Sequence, residues 1–149
     1  MHYEDIWAKT LSSDERVEYE FSIGSRYQTV WLTVWGALSA LLLIAGGLGV
    51  LTFVAALFYY KFYSRVANAY AFTNKRVLIH RGWLSTHTTS IDYAMITDVQ
   101  VGEPFLERLI TRTGNLSINT AGSSMREVVL THVAAPYEIK KRLDALKDR

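Results

Sequence analysis

The side chains best suited to chemistry in this chain are four histidines, two aspartates of one predicted strand and three basic residues near a predicted turn. The histidines are His2, His80, His87 and His132. No two of them have the i, i+4 spacing that places zinc ligands on one helix face. The chain has no cysteine, which excludes disulfides and thiolate metal sites. The sequence therefore predicts no metal site and no cofactor.

No set of carboxylates or hydroxyls has a catalytic pattern. Asp92 and Asp98 lie in one predicted strand, and acid–base catalysis would require their carboxyl groups to converge. A solvated strand face is the simpler interpretation. Ser123 and Ser124 follow a glycine in a turn and lack the setting of a strained nucleophile. We therefore predict that the protein is not an enzyme and has no catalytic residues.

Lys75, Arg76 and Arg81 are the candidate residues for binding a lipid headgroup or a partner. They surround a predicted turn, and each basic residue near an anionic leaflet contributes about 1 kcal/mol to membrane binding. A regular strand places Arg76 and Arg81 on opposite faces, which weakens a single shared site. The alternative is that the three charges are solvated or form ion pairs with nearby carboxylates, namely Asp92, Asp98 or Glu107.

The element that would position the basic candidate residues is an uncharged run from Tyr27 to Tyr60. Arg26 precedes this run and Lys61 follows it. As one helix, at about 1.5 Å per residue, the run would be roughly 50 Å long, against a hydrocarbon core of roughly 30 Å. The glycine-rich segment Gly46–Gly49 lies where a hairpin would turn. We predict two transmembrane helices within residues 27–63. One long tilted helix and a buried core hairpin of a soluble protein are the alternatives.

The charges beside the run predict its orientation. A hairpin brings Arg26, Lys61 and Arg65 to one face of the membrane, and its turn carries no positive charge. The positive-inside rule then makes this a multi-pass cell-membrane protein with both termini in the cytoplasm. Aromatic residues near both ends of the run are typical of an interfacial belt. Gly36 and Ala40 have a spacing that permits close helix packing.

The remaining sequence alternates between polar and apolar residues at the period of a strand. We predict three regions: a cytoplasmic N-terminal segment (residues 1–26), the hairpin (27–63) and a folded domain (64–149). The elements expected outside the hairpin are strands at Val17–Ile23, Tyr70–Thr73, Arg76–Arg81, Leu84–Ser90, Ile91–Val101, Asn115–Thr120 and Glu127–Val133, a short helical turn or loop at Phe105–Ile110 and a helix from Pro136. The apolar residues of this terminal helix form one stripe at helical spacing: Ile139, Leu143 and Leu146. Ile6 and Trp7 form an apolar patch that would dock on the folded domain.

Charge is distributed unevenly along the chain. Residues 1–26 have a net charge of −3 and residues 61–149 a net charge of +5. This balance suits a domain beside an anionic leaflet but is too weak to indicate nucleic-acid binding.

Three stretches together resemble the bacterial pleckstrin-homology-like (PH-like) domain of membrane-flanked proteins. They are TNKRVLIHRGWLS, IDYAMITDVQVGEPFLERLITRTGNLSINTAGS and VVLTHVAAPYEIKKRL. The matching positions are Thr73, Asn74, Arg76, Arg81, Gly82, Ile96, Asp98, Val99, Leu106, Arg108, Gly114, Leu116, Thr120, Ala121 and Gly122. The family commonly has a glycine near Thr111–Thr113, where this chain has none.

The resemblance implies a small β-sandwich or barrel of two near-orthogonal sheets, closed at one end by a C-terminal α-helix. The family often places a transmembrane hairpin just before this domain. The expected fold is therefore a transmembrane helical hairpin plus a mainly-β PH-like sandwich or barrel. The resemblance does not imply an enzyme. Arg108 is expected to have a structural role, closing its loop onto the sandwich.

Three functions follow from this interpretation. The first is a non-enzymatic, membrane-anchored scaffold that contacts the lipid bilayer and binds a protein partner or itself, without nucleic acid. The second is a sensor of anionic lipid headgroups that uses Lys75, Arg76 and Arg81. The third is an accessory subunit of a membrane complex, with Gly36 in the helix contact.

Overall fold

The computed structural model describes residues 6–46, 48–60, 67–82, 85–121 and 128–148. The described strands form two antiparallel sheets. The first sheet contains β1 (Val17–Ser22), β2 (Asn68–Thr73), β3 (Arg76–Arg81) and β4 (His87–Asp92), hydrogen-bonded in that order. The second sheet contains β5 (Ile96–Gly102), β6 (Thr113–Thr120) and β7 (Val128–Ala134), also in chain order. The two sheets make a sandwich, not a closed barrel.

The described chain also contains α-helices outside the sheets. α1 (Ser25–Gly46) and α2 (Gly49–Phe58) form a helical hairpin between β1 and β2, and α3 (Pro136–Lys147) follows β7. The break between α1 and α2 lies at the glycine-rich segment where the hairpin was predicted to turn. Pro136 opens α3, where its missing N–H costs no hydrogen bond.

The core lies between the two sheets and under α3. Inward-pointing apolar residues of both sheets form it, and Phe72, Leu116 and Leu130 have no exposed surface. On α3, Ile139 and Leu143 are buried and Leu146 packs partly against the same core. The predicted apolar stripe of this helix is therefore confirmed.

The single long strand predicted from Ile91 to Val101 is wrong. A 3-10 turn at Tyr93–Met95 separates β4 from β5 and carries the chain from the first sheet to the second. The turn shifts the alternation by one residue, so Ile96 is buried, whereas one regular strand would place it on the same face as Asp92 and Asp98. A regular strand cannot join two sheets without such a corner.

β1 joins the helical hairpin directly to the sandwich. The strand precedes the hairpin in sequence, and its Ser22 pairs with Ala69 of β2, which follows the hairpin. The next residue, Ile23, bridges to Val133 of β7, and the Gly24 N–H donates to the His132 carbonyl at 2.8 Å. Residues on both sides of the hairpin therefore form one sheet.

The N-terminal segment covers the outer face of the first sheet. Trp7 is 1% exposed and packs with Ile6 against Ala69, Ala71 and Leu78. The predicted docking of this apolar patch is confirmed, and the sheet is covered by apolar side chains on both faces.

Candidate membrane and partner-binding surfaces

The strand register defines two ends of the first sheet. At one end, which we call the helix end, Ser22 pairs with Ala69 and Arg81 pairs with Asn68 and His87. The opposite end, which we call the far end, holds the turn between β2 and β3. The six residues of β2 separate the two ends by roughly 17 Å, at about 3.3 Å per residue.

The three basic candidate residues do not converge. Lys75 and Arg76 lie at the far end, whereas Arg81 lies at the helix end. Lys75 is exposed, and the Arg81 guanidinium donates a hydrogen bond to the Val129 carbonyl of the second sheet. The structure therefore separates the candidates into two locations.

Arg76 forms an ion pair, as the alternative interpretation allowed, but its partner is Glu15. Its Nε lies 2.9 Å from Glu15 Oε1 and its Nη2 lies 2.8 Å from Glu15 Oε2, a bidentate arrangement. The Glu15 side chain has 0% exposure, and Thr73 Oγ1 donates to its Oε1 at 2.7 Å. The hydrogen bonds from Arg76, and the smaller one from Thr73, lower the pKa of Glu15 to about 2 although burial opposes them.

This pair clamps the N-terminal segment to the turn between β2 and β3. Arg76 Nη2 also donates to the Thr10 carbonyl at 3.1 Å, and Asn74 Oδ1 accepts from the Arg16 N–H at 3.1 Å. The expected ion-pair partners of Arg76 were Asp92, Asp98 and Glu107, and none of these makes the contact. Arg76 is thus held in a structural network.

The outer surfaces of α1 and α2 are apolar and uncovered. Leu41 is 68% exposed, Ile44 is 88% exposed and Leu51 on α2 is 71% exposed. Among the described residues, only α1 contains a span long and apolar enough to cross a bilayer, Ser25–Ile44, with a mean hydropathy of 1.5. Gly49–Phe58 is a shorter apolar helix.

The two helices pack closely near their connection. A Cβ added to Gly49 would lie 2.7 Å from the Leu43 Cβ and closer still to the Ser39 carbonyl oxygen. Thr52 Oγ1 lies 3.0 Å from Ser39 Oγ, which satisfies two polar groups inside an apolar hairpin. Gly36 faces Phe53 of α2, because a Cβ there would lie 4.0 Å from the Phe53 ring.

An apolar cleft of about 600 Å³ opens between the helices where they meet the sandwich. Its lining comes from both helices and from residues just outside them, and it includes Ile23 and five aromatic side chains: Tyr27, Trp31, Trp35, Tyr59 and Tyr60. The aromatic residues expected near the two ends of the run thus gather at one end of the hairpin.

A chain of side-chain contacts fixes the loop between β5 and β6 beside the first turn of α1. The Tyr27 ring stacks on His132 with centroids 3.9 Å apart, and His132 Nδ1 lies 3.1 Å from Glu107 Oε2. Glu107 begins a π-helical turn, Glu107–Thr111, whose Thr111 is 6% exposed and bonded to Thr113 at 2.7 Å.

The same loop exposes its apolar residues. Phe105 is 75% exposed, Leu106 is 65% exposed, Leu109 is 67% exposed and Ile110 is 55% exposed. Arg108, which was expected to close the loop, is exposed as well. The predicted helical turn is confirmed, but its outward face is apolar.

The backbone is left-handed at Arg112, within the segment where the family commonly has a glycine and this chain has none. Arg112 has φ 53° and ψ 40°, a conformation that glycine adopts most readily. The chain thus keeps a glycine-like loop shape with an arginine at the position where the sequence departs from the family pattern.

The remaining candidate groups lie apart. His80 packs edge-on against Trp7 and lies 3.1 Å from Thr88 Oγ1, and burial lowers its pKa. His87 is exposed at the start of β4, and His2 falls outside the described residues, as do Ser123 and Ser124. Within the described ranges, no three His, Asp or Glu residues are grouped so that they could hold a metal ion.

The comparisons with known proteins concern the fold. Residues 21–147 match a family model described as Bacterial PH domain. No curated protein matches the sequence significantly.

Two solved structures share the fold at low identity. A DUF1696 family protein with a pleckstrin-homology domain from Shewanella loihica PV-4 aligns with a TM-score of 0.54 at 12% identity, covering 97% of this chain and 93% of that one. A pleckstrin homology domain from Shewanella amazonensis SB2B aligns with a TM-score of 0.56 at 13% identity, covering 97% of this chain and 85% of that one.

Proposed function

Because this chain belongs to the bacterial PH domain family, we propose that it is a non-enzymatic interaction module whose PH domain is held at the cytoplasmic face of the cell membrane by the helical hairpin. The family and the mainly-β fold with two sheets and a C-terminal helix are the premise. Membrane anchoring and the binding of a partner are the proposal.

The observation that carries the proposal is the uncovered apolar surface of the hairpin. α1 has 22 residues, or roughly 33 Å at about 1.5 Å per residue, which matches a hydrocarbon core of roughly 30 Å. Only 11% of its most apolar window is buried inside the protein. An apolar surface of this size in water would be strongly unfavourable, and a bilayer would cover it.

The aromatic cluster supports a single interface at the helix end. Trp31, Trp35, Tyr59 and Tyr60 line one cleft next to the sandwich, and Trp and Tyr favour the headgroup region. The exposed Arg26 lies at the same end and is consistent with a cytoplasmic location.

The sheet edges offer a surface for a partner or for self-association. Among the described residues, β4 forms one edge of the first sheet and β5 forms one edge of the second. Such strands present backbone groups that a strand from another chain would pair with.

The geometry favours the scaffold over the lipid sensor. A sensor built on Lys75 and Arg76 would place its binding residues at the far end, roughly 17 Å from the helices by strand rise. Arg76 is also engaged by Glu15. The accessory-subunit alternative is less favoured, because Gly36 faces Phe53 of the same hairpin.

Alkaline carbonate extraction of membranes from expressing cells tests the anchoring. We expect the full chain to remain in the pellet, whereas a double variant with Leu41→Arg and Ile44→Arg would be released or degraded. A matched variant with Lys75→Ala, at the far end, should behave like the unaltered chain. Release of the unaltered chain by carbonate would refute the membrane anchor.

A further inference from the structure

We propose that residues 105–112, which we call the apolar loop, form a second membrane contact that lies in the headgroup region and holds the PH domain against the bilayer. This inference rests on the proposed function, since it takes α1 as a membrane helix. It adds a bilayer-binding surface on the domain itself, separate from the hairpin.

The first reason is that the amphipathic pattern of the apolar loop is inverted. The polar residues Glu107 and Thr111 face the protein, where Glu107 reaches His132 and Thr111 reaches Thr113. The apolar residues face outward and are more than half exposed: Phe105, Leu106, Leu109 and Ile110. Residues four apart lie on the same side of a helical turn, so these four form one continuous apolar surface.

This surface has no role in the hydrophobic core. None of the four residues belongs to either buried cluster of the described chain. A water-facing loop gains nothing from two consecutive pairs of large apolar side chains, whereas a lipid-facing loop gains the burial of each one.

The second reason is the depth at which the apolar loop is fixed. The contacts from Tyr27 through His132 to Glu107 hold it beside the first turn of α1. Tyr27 and Trp31 pack against each other at this level, and such aromatic residues mark the headgroup region. Leu109 and Ile110 are therefore presented at the depth where the bilayer begins.

The third reason is charge. Arg108 and Arg112 are exposed on the apolar loop, and Arg26 is exposed at the start of α1. Arginine side chains at an interface place their stems among apolar groups and their guanidinium groups near lipid phosphates. Exposed apolar residues flanked by arginines, continuous with a membrane helix, fit a lipid surface better than a protein partner.

The arrangement also orients the domain. With both α1 and the apolar loop on the bilayer, the helix end faces the membrane. The turn that carries Lys75 then points away from it into the cytoplasm.

Site-directed fluorescence tests the proposal, and the absence of native cysteine makes single-cysteine variants unambiguous. The full chain would carry Leu109→Cys, with Leu41→Cys as the hairpin control and Lys75→Cys as the far-end control. Each variant is labelled with an environment-sensitive dye and reconstituted in vesicles of phosphatidylethanolamine and phosphatidylglycerol. Quenching is measured with nitroxide lipids and with aqueous iodide.

We expect the dye at position 109 to be quenched by lipids with a shallow nitroxide, to lose most of its iodide quenching and to emit at shorter wavelength than the dye at position 75. Lipid quenching at position 41 combined with full iodide quenching at position 109 would overturn the inference and leave the anchor intact. Protection at 109 from both quenchers would assign the surface to a protein or a second copy, and would also overturn it. Iodide quenching at position 41 would refute the anchor itself.

Discussion

Replacing Glu15 by glutamine tests the clamp between the N-terminal segment and the sandwich. The change keeps the size of the side chain and removes the negative charge that two guanidinium nitrogens of Arg76 contact at 2.9 and 2.8 Å. The pKa of Glu15 is about 2 against an ordinary value of 4.5. At 1.36 kcal/mol per pKa unit, the charged form stabilises the folded state by about 3 kcal/mol at neutral pH.

An independent estimate agrees with this magnitude. Removing one partner of a buried ion pair costs about 3–5 kcal/mol, because the remaining charge loses its compensation. Arg76 keeps 23% of its side chain exposed, so water partly replaces the lost carboxylate and the lower value applies. We therefore expect Glu15→Gln to destabilise the folded domain by about 3 kcal/mol, or roughly a hundredfold in the unfolding equilibrium.

Amide hydrogen exchange of the full chain at neutral pH would measure the loss, read at residues 6–22 and in β2. The matched control is Glu18→Gln, whose partner Arg16 has a side chain that is 77% exposed. That surface pair should contribute less than about 1 kcal/mol. Equal changes in the two variants would refute the clamp.

The pH dependence gives the same prediction a second readout. Because the pKa of Glu15 is lowered in the folded chain, the unfolded chain binds the proton first as the pH falls. The stabilisation is complete above pH 4.5 and is lost as the pH falls towards 2. The difference in stability between the unaltered chain and Glu15→Gln should shrink over that window, and a constant difference would contradict the reasoning.

Three further predictions follow from the described contacts. Gly49→Ala should separate α1 from α2, because the added Cβ would lie 2.7 Å from the Leu43 Cβ. Gly46→Ala should leave the helices in place, because a Cβ there would have no neighbour within 4 Å. Disulfide crosslinking between cysteines placed on the two helices would distinguish the two variants. Trp7→Ala should destabilise the domain by about 3–5 kcal/mol, since it empties the buried site over β2 and β3, and thermal unfolding would show the loss. Burial lowers the pKa of His80, so stability should fall as the pH drops below 6.5, and His80→Gln should remove that part of the acid sensitivity in a thermal-unfolding series.

Local patterns in the sequence predicted most of the elements and much less of how they associate. The hairpin of β2 and β3, the helix break near Gly46 and the stripe on α3 are set by neighbouring residues, and all three are present. The corner at Tyr93–Met95 was not predicted, because the sequence still appears to alternate between apolar and polar residues across the 3-10 turn. The turn changes which of these residues point into the core. Period alone cannot separate one long strand from two strands in different sheets.

The candidate site was harder to predict because its contacts are non-local. Glu15 and Arg76 are 61 positions apart, and the hairpin lies between them. The residues near Arg76 in the sequence therefore do not indicate that Glu15 is its partner. The helical turn of the apolar loop was predicted from its residues. Its outward apolar face was not, because the sequence does not show which side of a short turn packs on the protein.

The position of the hairpin within the domain has a mechanical consequence. A membrane anchor that precedes a domain usually joins it through a linker, which leaves the orientation of the domain open. Here α1 begins at Ser25, three residues after β1 ends at Ser22, and the intervening residues are fixed by the Ile23 bridge to Val133 and by the hydrogen bond from Gly24 to His132. Under the proposed membrane anchoring, a tilt of α1 would therefore be transmitted to β1 and β7 through these contacts. The same join places the apolar loop at a constant height beside α1, so the two proposed membrane contacts act as a single rigid base for the PH domain.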